Sequence, residues 1–216
     1  MDKYKVVLFD LDGTLVESGD GIVNGMMYTL NRFGLPVPPR EELYAFVGPS
    51  LFWAMEQLGI PKEQVHEAVR VYREYYSEKG LFEMRVYDGI PELLHSLKRA
   101  GRIVIMATSK LERFANRLME HIGETDSFDY IAGSLPDGSR ISKDDIIAYA
   151  LESVGVSDRT SAVMVGDRDS DILAAKKLGM DSIGAAYGYG SREELQTAGA
   201  TYIADTTADV GAFILG

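Results

Sequence analysis

An α/β fold built on a doubly wound parallel sheet, with an all-helical segment inserted after its first strand, is the fold class this chain predicts. Three observations predict it. The apolar run Val6-Val7-Leu8-Phe9 passes straight into Asp10-Leu11-Asp12-Gly13-Thr14, so a buried-strand candidate ends in carboxylates, where open α/β sheets place their active sites. From Val86 onward short apolar runs alternate with helical stretches, the pattern of repeated strand-helix units. Between these two regions residues 16–85 read as helix throughout, too long a stretch for an ordinary connection from strand to helix.

The inserted segment opens on a helix. Ile22, Met26, Leu30 and Phe33 recur at helical spacing and stop at Gly34 and the proline-rich Leu35-Pro36-Val37-Pro38-Pro39. A second helix is expected over Glu41 to Phe46 and a third over Leu51 to Leu58. Pro61 suits the first position of a fourth, whose stripe is Val65, Val69, Tyr72 and Tyr76. Helices are then expected over Ile90–Ala100, Leu111–Ile122, Ser142–Val154 and Ser170–Leu178, with another begun by Ser191. Strands are expected over Arg102–Ala107, Phe128–Ala132, Ala162–Val165, Ser182–Ala186 and Thr201–Ala204. Ser142-Lys143-Asp144-Asp145 has the form of a capping box with Asp in the acidic position. The expected division is a core of residues 1–15 and 86–216 with a helical cap of residues 16–85.

Composition narrows the chemistry. The 216 residues are 46% hydrophobic and 25% charged, which is globular usage. A net charge of −11 argues against nucleic acid, which needs a basic face to release counterions. No basic amphipathic helix or long apolar run points to a membrane, and the start at Met1-Asp2-Lys3-Tyr4-Lys5 leaves no room for a signal peptide. The absence of cysteine removes zinc-thiolate sites and a cysteine nucleophile, and fits a cytoplasmic location. An acidic chain acting on an anion must gather cations locally, in the form of a metal and a few placed lysines. Two acids beside one strand end call for a cation between them, and Mg2+ suits carboxylates and phosphate together.

The other strand ends supply such groups. Arg102–Ala107 runs into Thr108-Ser109-Lys110, and Ala162–Val165 into Gly166-Asp167-Arg168-Asp169-Ser170-Asp171, with Asp171 one helical turn beyond Asp167. Lys143 stands at a helix start, where the dipole disfavours a cation unless it serves a neighbour. Lys110 and Arg113 are placed to reach a substrate, although their residue type favours the surface; Asp169 belongs in a solvated first turn, and His66, His95 and His121 on helix surfaces away from every strand end. Trp53 and the tyrosines of the fourth helix are expected in the cap core.

On Asp10-Leu11-Asp12-Gly13-Thr14, Thr108, Lys143 and the Gly166–Asp171 run, the chain resembles the haloacid dehalogenase superfamily of phosphotransferases, in its phosphoglycolate phosphatase-like branch with a helical cap. Thr108-Ser109-Lys110-Leu111 and Arg140-Ile141-Ser142-Lys143 depart from the Thr-Asn-Lys-Pro and Gly-Lys-Pro forms of phosphoglycolate phosphatases. Gly138-Ser139-Arg140 and Tyr187-Gly188-Tyr189-Gly190-Ser191-Arg192-Glu193-Glu194-Leu195 are more similar to bacterial phosphatases and 5′-nucleotidases. The resemblance implies a Mg2+-dependent phosphatase of a small phosphorylated metabolite, acting as a monomer or homodimer. It makes Asp10 the nucleophile, Asp12 the acid and base, and Thr108 and Lys143 stabilisers of phosphoryl charge. Mg2+ would lie on the side chains of Asp10 and Asp167 and the backbone carbonyl of Asp12, with Asp171 supporting them from behind. Gly13, Thr14 and Ser109 are expected at the substrate, as are Phe46, Gly48 and Ser50 in the cap break Phe46-Val47-Gly48-Pro49-Ser50. Hinges are expected near 16–18 and 85–88. The alternatives are a β-phosphoglucomutase-like phosphotransferase, whose relatives usually carry Val where Thr14 stands, and a receiver-like phosphate-sensing module.

Overall fold

The computed structural model describes residues 3–48 and 50–216. Met1, Asp2 and Pro49 lie outside the described residues, and with them the first two residues of the chain start and part of the expected cap break 46–50. In chain order come β1 (Val6–Phe9), β2 (Val16–Glu17), α1 (Gly19–Arg32), α2 (Arg40–Leu43), α3 (Leu51–Gln57), α4 (Val65–Glu78) and β3 (Arg85–Val86). After these come α5 (Ile90–Arg99), β4 (Ile103–Leu111), α6 (Glu112–Ile122), β5 (Tyr130–Ser134), α7 (Lys143–Ser153) and β6 (Ala162–Gly166). The chain closes with α8 (Asp169–Lys177), β7 (Asp181–Ala185), α9 (Arg192–Ala198), β8 (Tyr202–Ala204) and α10 (Thr207–Leu215). It divides into two compact units, residues 1–16 with 86–216, and residues 17–85.

The first unit carries a six-stranded sheet in the order β5-β4-β1-β6-β7-β8, every adjacent pair parallel. This is the doubly wound sheet the alternation predicts. Each residue of β1 is at most 2% exposed, because helices cover both faces of a central parallel strand. On one face Val6 and Leu8 join Ile105, Ala107 and Met164 beneath Ile146, Ile147, Ala150 and Leu151 of α7. Connections leave β1 toward β4 on one side, and the chain later returns to β6 on the other. The carboxyl end of β1 is therefore the topological switch point, where a crevice opens.

Local differences from the expected spans have local causes. β4 continues to Leu111 rather than stopping at Ala107, and the five residues Ala107–Leu111 of β4 run beside the three residues Ala132–Ser134 of β5, a bulge. β5 starts at Tyr130, since the Phe128 N–H bonds back to the Thr125 carbonyl in a 3-10 turn. Ser142 caps α7 by accepting from the Asp145 N–H, but the Asp145 carboxylate takes the Ser142 hydroxyl, so the box closes only halfway. The helix α10 is an addition to the expected elements. Thr206 and Asp209 cap it reciprocally, and Phe213 stacks on Tyr202 at 4.4 Å.

In the second unit α1, α3 and α4 follow the expected periodicities. The expected 41–46 helix splits into α2 and a 3-10 turn over Tyr44–Phe46. Pro61 has ψ 140°, outside the helical range, and precedes a 3-10 turn at Lys62–Gln64, so α4 begins only at Val65. Tyr72 and Tyr76 are buried as expected, but Trp53 is not. Its side chain lies 47% exposed with its ring 5.8 Å from that of Phe46, and neighbouring Phe52 is 37% exposed beside His66. The spacing of α3 turns Ala54 and Met55 inward, which leaves the bulky pair before them outside.

Candidate active site

The site gathers at the ends of β1, β4 and β6 and the start of α7, all within the first unit. Asp10 leaves β1 with its N–H on the Val165 carbonyl at 2.9 Å, still in ladder register with β6. Asp167 follows β6 and is fully buried. Its carboxylate takes the Tyr189 N–H at 2.8 Å on one oxygen and the Thr14 hydroxyl at 3.3 Å on the other. Asp171, in the first turn of α8, is also fully buried and takes the Arg168 N–H at 3.2 Å.

Lys143 ties these acids together. Its ammonium lies 2.9 Å from Asp10 Oδ1 and 2.8 Å from Asp171 Oδ1, and donates to the Ala107 carbonyl at 3.2 Å. A cation at the first position of α7 runs against the helix dipole, and these two carboxylates are what it serves. Burial alone would push this ammonium toward neutrality, but the charges of Asp10 and then Asp171 outweigh it and raise its pKa. For the acids burial dominates. Burial, then Asp171 and Asp10, hold Asp167 well above the usual carboxylate range, and burial lifts Asp171 to about 6 against the pull of Lys143.

Three buried carboxylates thus gather where Lys143 pairs with two of them, an excess of negative charge. Oxygens of Asp10, Asp167 and Asp171 lie within 4.8 Å of one another, and among the described residues Oδ1 of Asp10 and of Asp171 make no hydrogen bond beyond their ion pairs with Lys143. Hard oxygen donors around a charge deficit match Mg2+, so the residues present fit the expected metal.

Gly13 is required by the close packing of this cluster. Its φ is +83°, and a Cβ there would fall 2.1 Å from Asp167 Oδ2. Gly188 faces the same constraint from the other side, with a Cβ position 2.4 Å from that of Asp167. The Tyr187–Gly190 loop after β7 is thus a wall of the site that residue typing missed. Its signal was the glycine at every second position. Tyr187 donates to the Thr14 carbonyl at 3.1 Å, and burial followed by the Asp167 charge raises its phenol pKa.

The remaining expected residues divide between support, site and surface. Thr108 is buried, and its oxygen accepts the Lys110 N–H at 3.2 Å, which leaves its hydroxyl proton to donate elsewhere. Asp12 sits 2.8 Å from the ammonium of Lys110, whose side chain is only 6% exposed, so the surface expectation for Lys110 is corrected. The bulge in β4 is the reason, since two extra residues break the strand's alternation and re-aim the side chains within it. Thr14 is fully buried and gives its hydroxyl to Asp167. Ser109 and Arg113 are exposed, as are the three histidines and Asp169. In the second unit Phe46 ends a 3-10 turn, Gly48 has φ +107°, and Ser50 precedes α3 exposed and without a capping hydrogen bond.

Comparison with known proteins agrees with this geometry. Residues 7–185 match the family described as haloacid dehalogenase-like hydrolase. A 5′-nucleotidase of Pseudomonas aeruginosa is 39% identical over 208 residues, covering 95% of this chain and 94% of its own. The tyrosine-protein kinase PtkA of Mycobacterium tuberculosis is 38% identical over 200 residues, covering 92% of this chain and 68% of its own. A crystal structure of a predicted phosphatase from Clostridium acetobutylicum matches with a TM-score of 0.92 at 43% identity, covering 98% of each chain. The protein is a phosphoric monoester hydrolase. The chain belongs to the haloacid dehalogenase-like hydrolase family. Among the described residues no helix is long and apolar enough to cross a membrane.

Proposed function

We propose that the chain hydrolyses a small phosphorylated metabolite through an aspartyl phosphate on Asp10, in a Mg2+-dependent reaction. The observation that carries this reading is the placement of Lys143 between Asp10 and Asp171 at 2.9 and 2.8 Å, with Asp167 beside them. A carboxylate fixed by a buried cation at a sheet switch point is oriented for attack. An Asp10 oxygen bonds to phosphorus as the ester P–O bond breaks, and the departing oxygen takes a proton from the Asp12 carboxyl group. Water then attacks phosphorus, gives a proton to the Asp12 carboxylate, and the Asp10–phosphorus bond breaks to release inorganic phosphate. Lys143 and the Thr108 hydroxyl offset charge on the phosphoryl oxygens. Asp10, Asp167 and the backbone carbonyl of Asp12 would hold Mg2+, with Asp171 behind them; when bound, the ion neutralises charge on phosphoryl oxygens.

The name of the P. aeruginosa relative puts nucleoside 5′-monophosphates first among the metabolites to test. Phosphate release should require Mg2+, stop with chelator, return on Mg2+ addition and return poorly with Ca2+, whose looser coordination misplaces the nucleophile. In Asp12→Asn given p-nitrophenyl phosphate, whose leaving group needs no proton, Asp10 can still be phosphorylated but water attack lacks its base, so an acyl phosphate should accumulate and be reduced by borohydride to homoserine at position 10. Full activity in excess chelator, or no homoserine at that position, would overturn the corresponding half of the reading.

A further inference from the structure

Each carboxylate of the Asp10-Leu11-Asp12 motif has a lysine of its own, from a different element. Asp10 faces Lys143 of α7 and Asp12 faces Lys110 of β4, at 2.9 and 2.8 Å. Lys143 meets two carboxylates, and its role is absorbed by the chemistry at Asp10. Lys110 is left without one. From the structure we infer that Lys110 is a positioning residue for Asp12, holding one oxygen of its carboxyl group so that the other addresses the ester oxygen. The inference rests on the acid role proposed above for Asp12.

Three observations converge on it. A lysine side chain only 6% exposed has lost most of its water, and burial of a cation is tolerated when a carboxylate meets it, here Asp12 Oδ1. That burial is built rather than incidental. β4 runs five residues, Ala107 to Leu111, against three of β5, and the Lys110 N–H is tied to the Thr108 oxygen at 3.2 Å, so the bulge and a hydroxyl at the phosphoryl end fix where Lys110 points. The third is contrast within the segment. Ser109, the residue just before it in the strand, is exposed, so the burial of the Lys110 side chain is not shared by its immediate polar neighbour. Pairing of this kind fixes a rotamer, and a misplacement of about 1 Å in an acid can cost on the order of a hundredfold in rate.

The role predicts a dependence on the leaving group. An alkyl alkoxide is a strong base and needs the proton of Asp12, whereas p-nitrophenolate leaves readily without one. Lys110→Met keeps the length of the stem and removes the charge. It should lower kcat/KM for an alkyl phosphate roughly 10- to 100-fold and for p-nitrophenyl phosphate less than about threefold. Lys110→Arg should recover part of the loss, and the Ki of inorganic phosphate should stay within about twofold. Asp12→Asn, assayed alongside, should show the same bias more strongly, and the double variant should lose no more than Asp12→Asn alone. A Lys110→Met loss equal on both esters, a tenfold weaker phosphate Ki, or additive losses would overturn the proposal while leaving Asp12 as the acid. Equal loss on both esters in Asp12→Asn would overturn the acid role itself, and the assignment of Lys110 with it.

Discussion

Lys143 and Arg70 each stand between two carboxylates, yet the two triads differ in every consequence. Lys143, facing Asp10 and Asp171, keeps 6% of its side chain exposed; Arg70 on α4, facing Glu67 and Glu74, keeps 58%. Water competes for the second set and screens it, so the surface triad contributes little. The buried set has given up its hydration, and its charges survive only through one another. A chain that needed only stability at the centre of its sheet would place apolar residues there. On the proposed mechanism the charges are retained for the reaction, which leads to graded expectations.

The largest effect should come from the acid that attacks. Asp10→Asn preserves volume and removes the nucleophile, and turnover should fall at least about a thousandfold with the melting temperature kept or raised. Retention of a tenth of wild-type activity would point to direct attack by water. Next comes the comparison itself. Lys143→Met leaves Asp10 and Asp171 facing each other, and in metal-free protein at pH 8 should cost about 3–5 kcal/mol on denaturant unfolding. Arg70→Met should leave activity unchanged and the unfolding midpoint nearly so. Equal shifts in the two variants would erase the distinction between the triads.

A smaller effect is expected from pH. Asp171 titrates at about 6 in the folded chain, against an ordinary value of 3.8. The unfolded chain releases this proton first, so between about pH 4 and 6 the folded state binds more protons and stability falls as pH rises. In chelator, the stability of the wild type relative to Asp171→Asn should therefore decline across that window and level off above it. A flat or rising difference would sink the assignment. The smallest effect belongs to the second unit. Replacing Phe46 and Ser50 by alanine should change the ranking of phosphorylated metabolites by about tenfold in relative kcat/KM, or ~1.4 kcal/mol, while a small aryl phosphate barely responds. An unchanged ranking, or uniform loss across the panel, would remove these residues from substrate selection.

How much of this was legible in the sequence depends on the range of the interaction. The sheet was legible because apolar runs such as Val6–Phe9 report their own burial, and the acids of β1 and β6 because they stand directly at strand ends. Lys110 was not, since a lysine by type belongs outside, and only the unequal residue counts of β4 and β5 turn it inward. Trp53 misled in the opposite sense: its apolar bulk argued for the interior, but Ala54 and Met55 take the inward positions of α3. The Tyr187–Gly190 loop carried a glycine signal with no partner in sequence, because the atoms it approaches belong to Gly13 and Asp167.

Trp53 is the chain's single tryptophan, and it stands half exposed in the second unit. Intrinsic emission is therefore an optical reporter of residues 17–85. Its spectrum should be red-shifted and open to iodide quenching. A denaturation curve followed at that wavelength records the helical unit, while far-ultraviolet circular dichroism records the backbone of both units; coincidence of the two curves would show that the units melt as one.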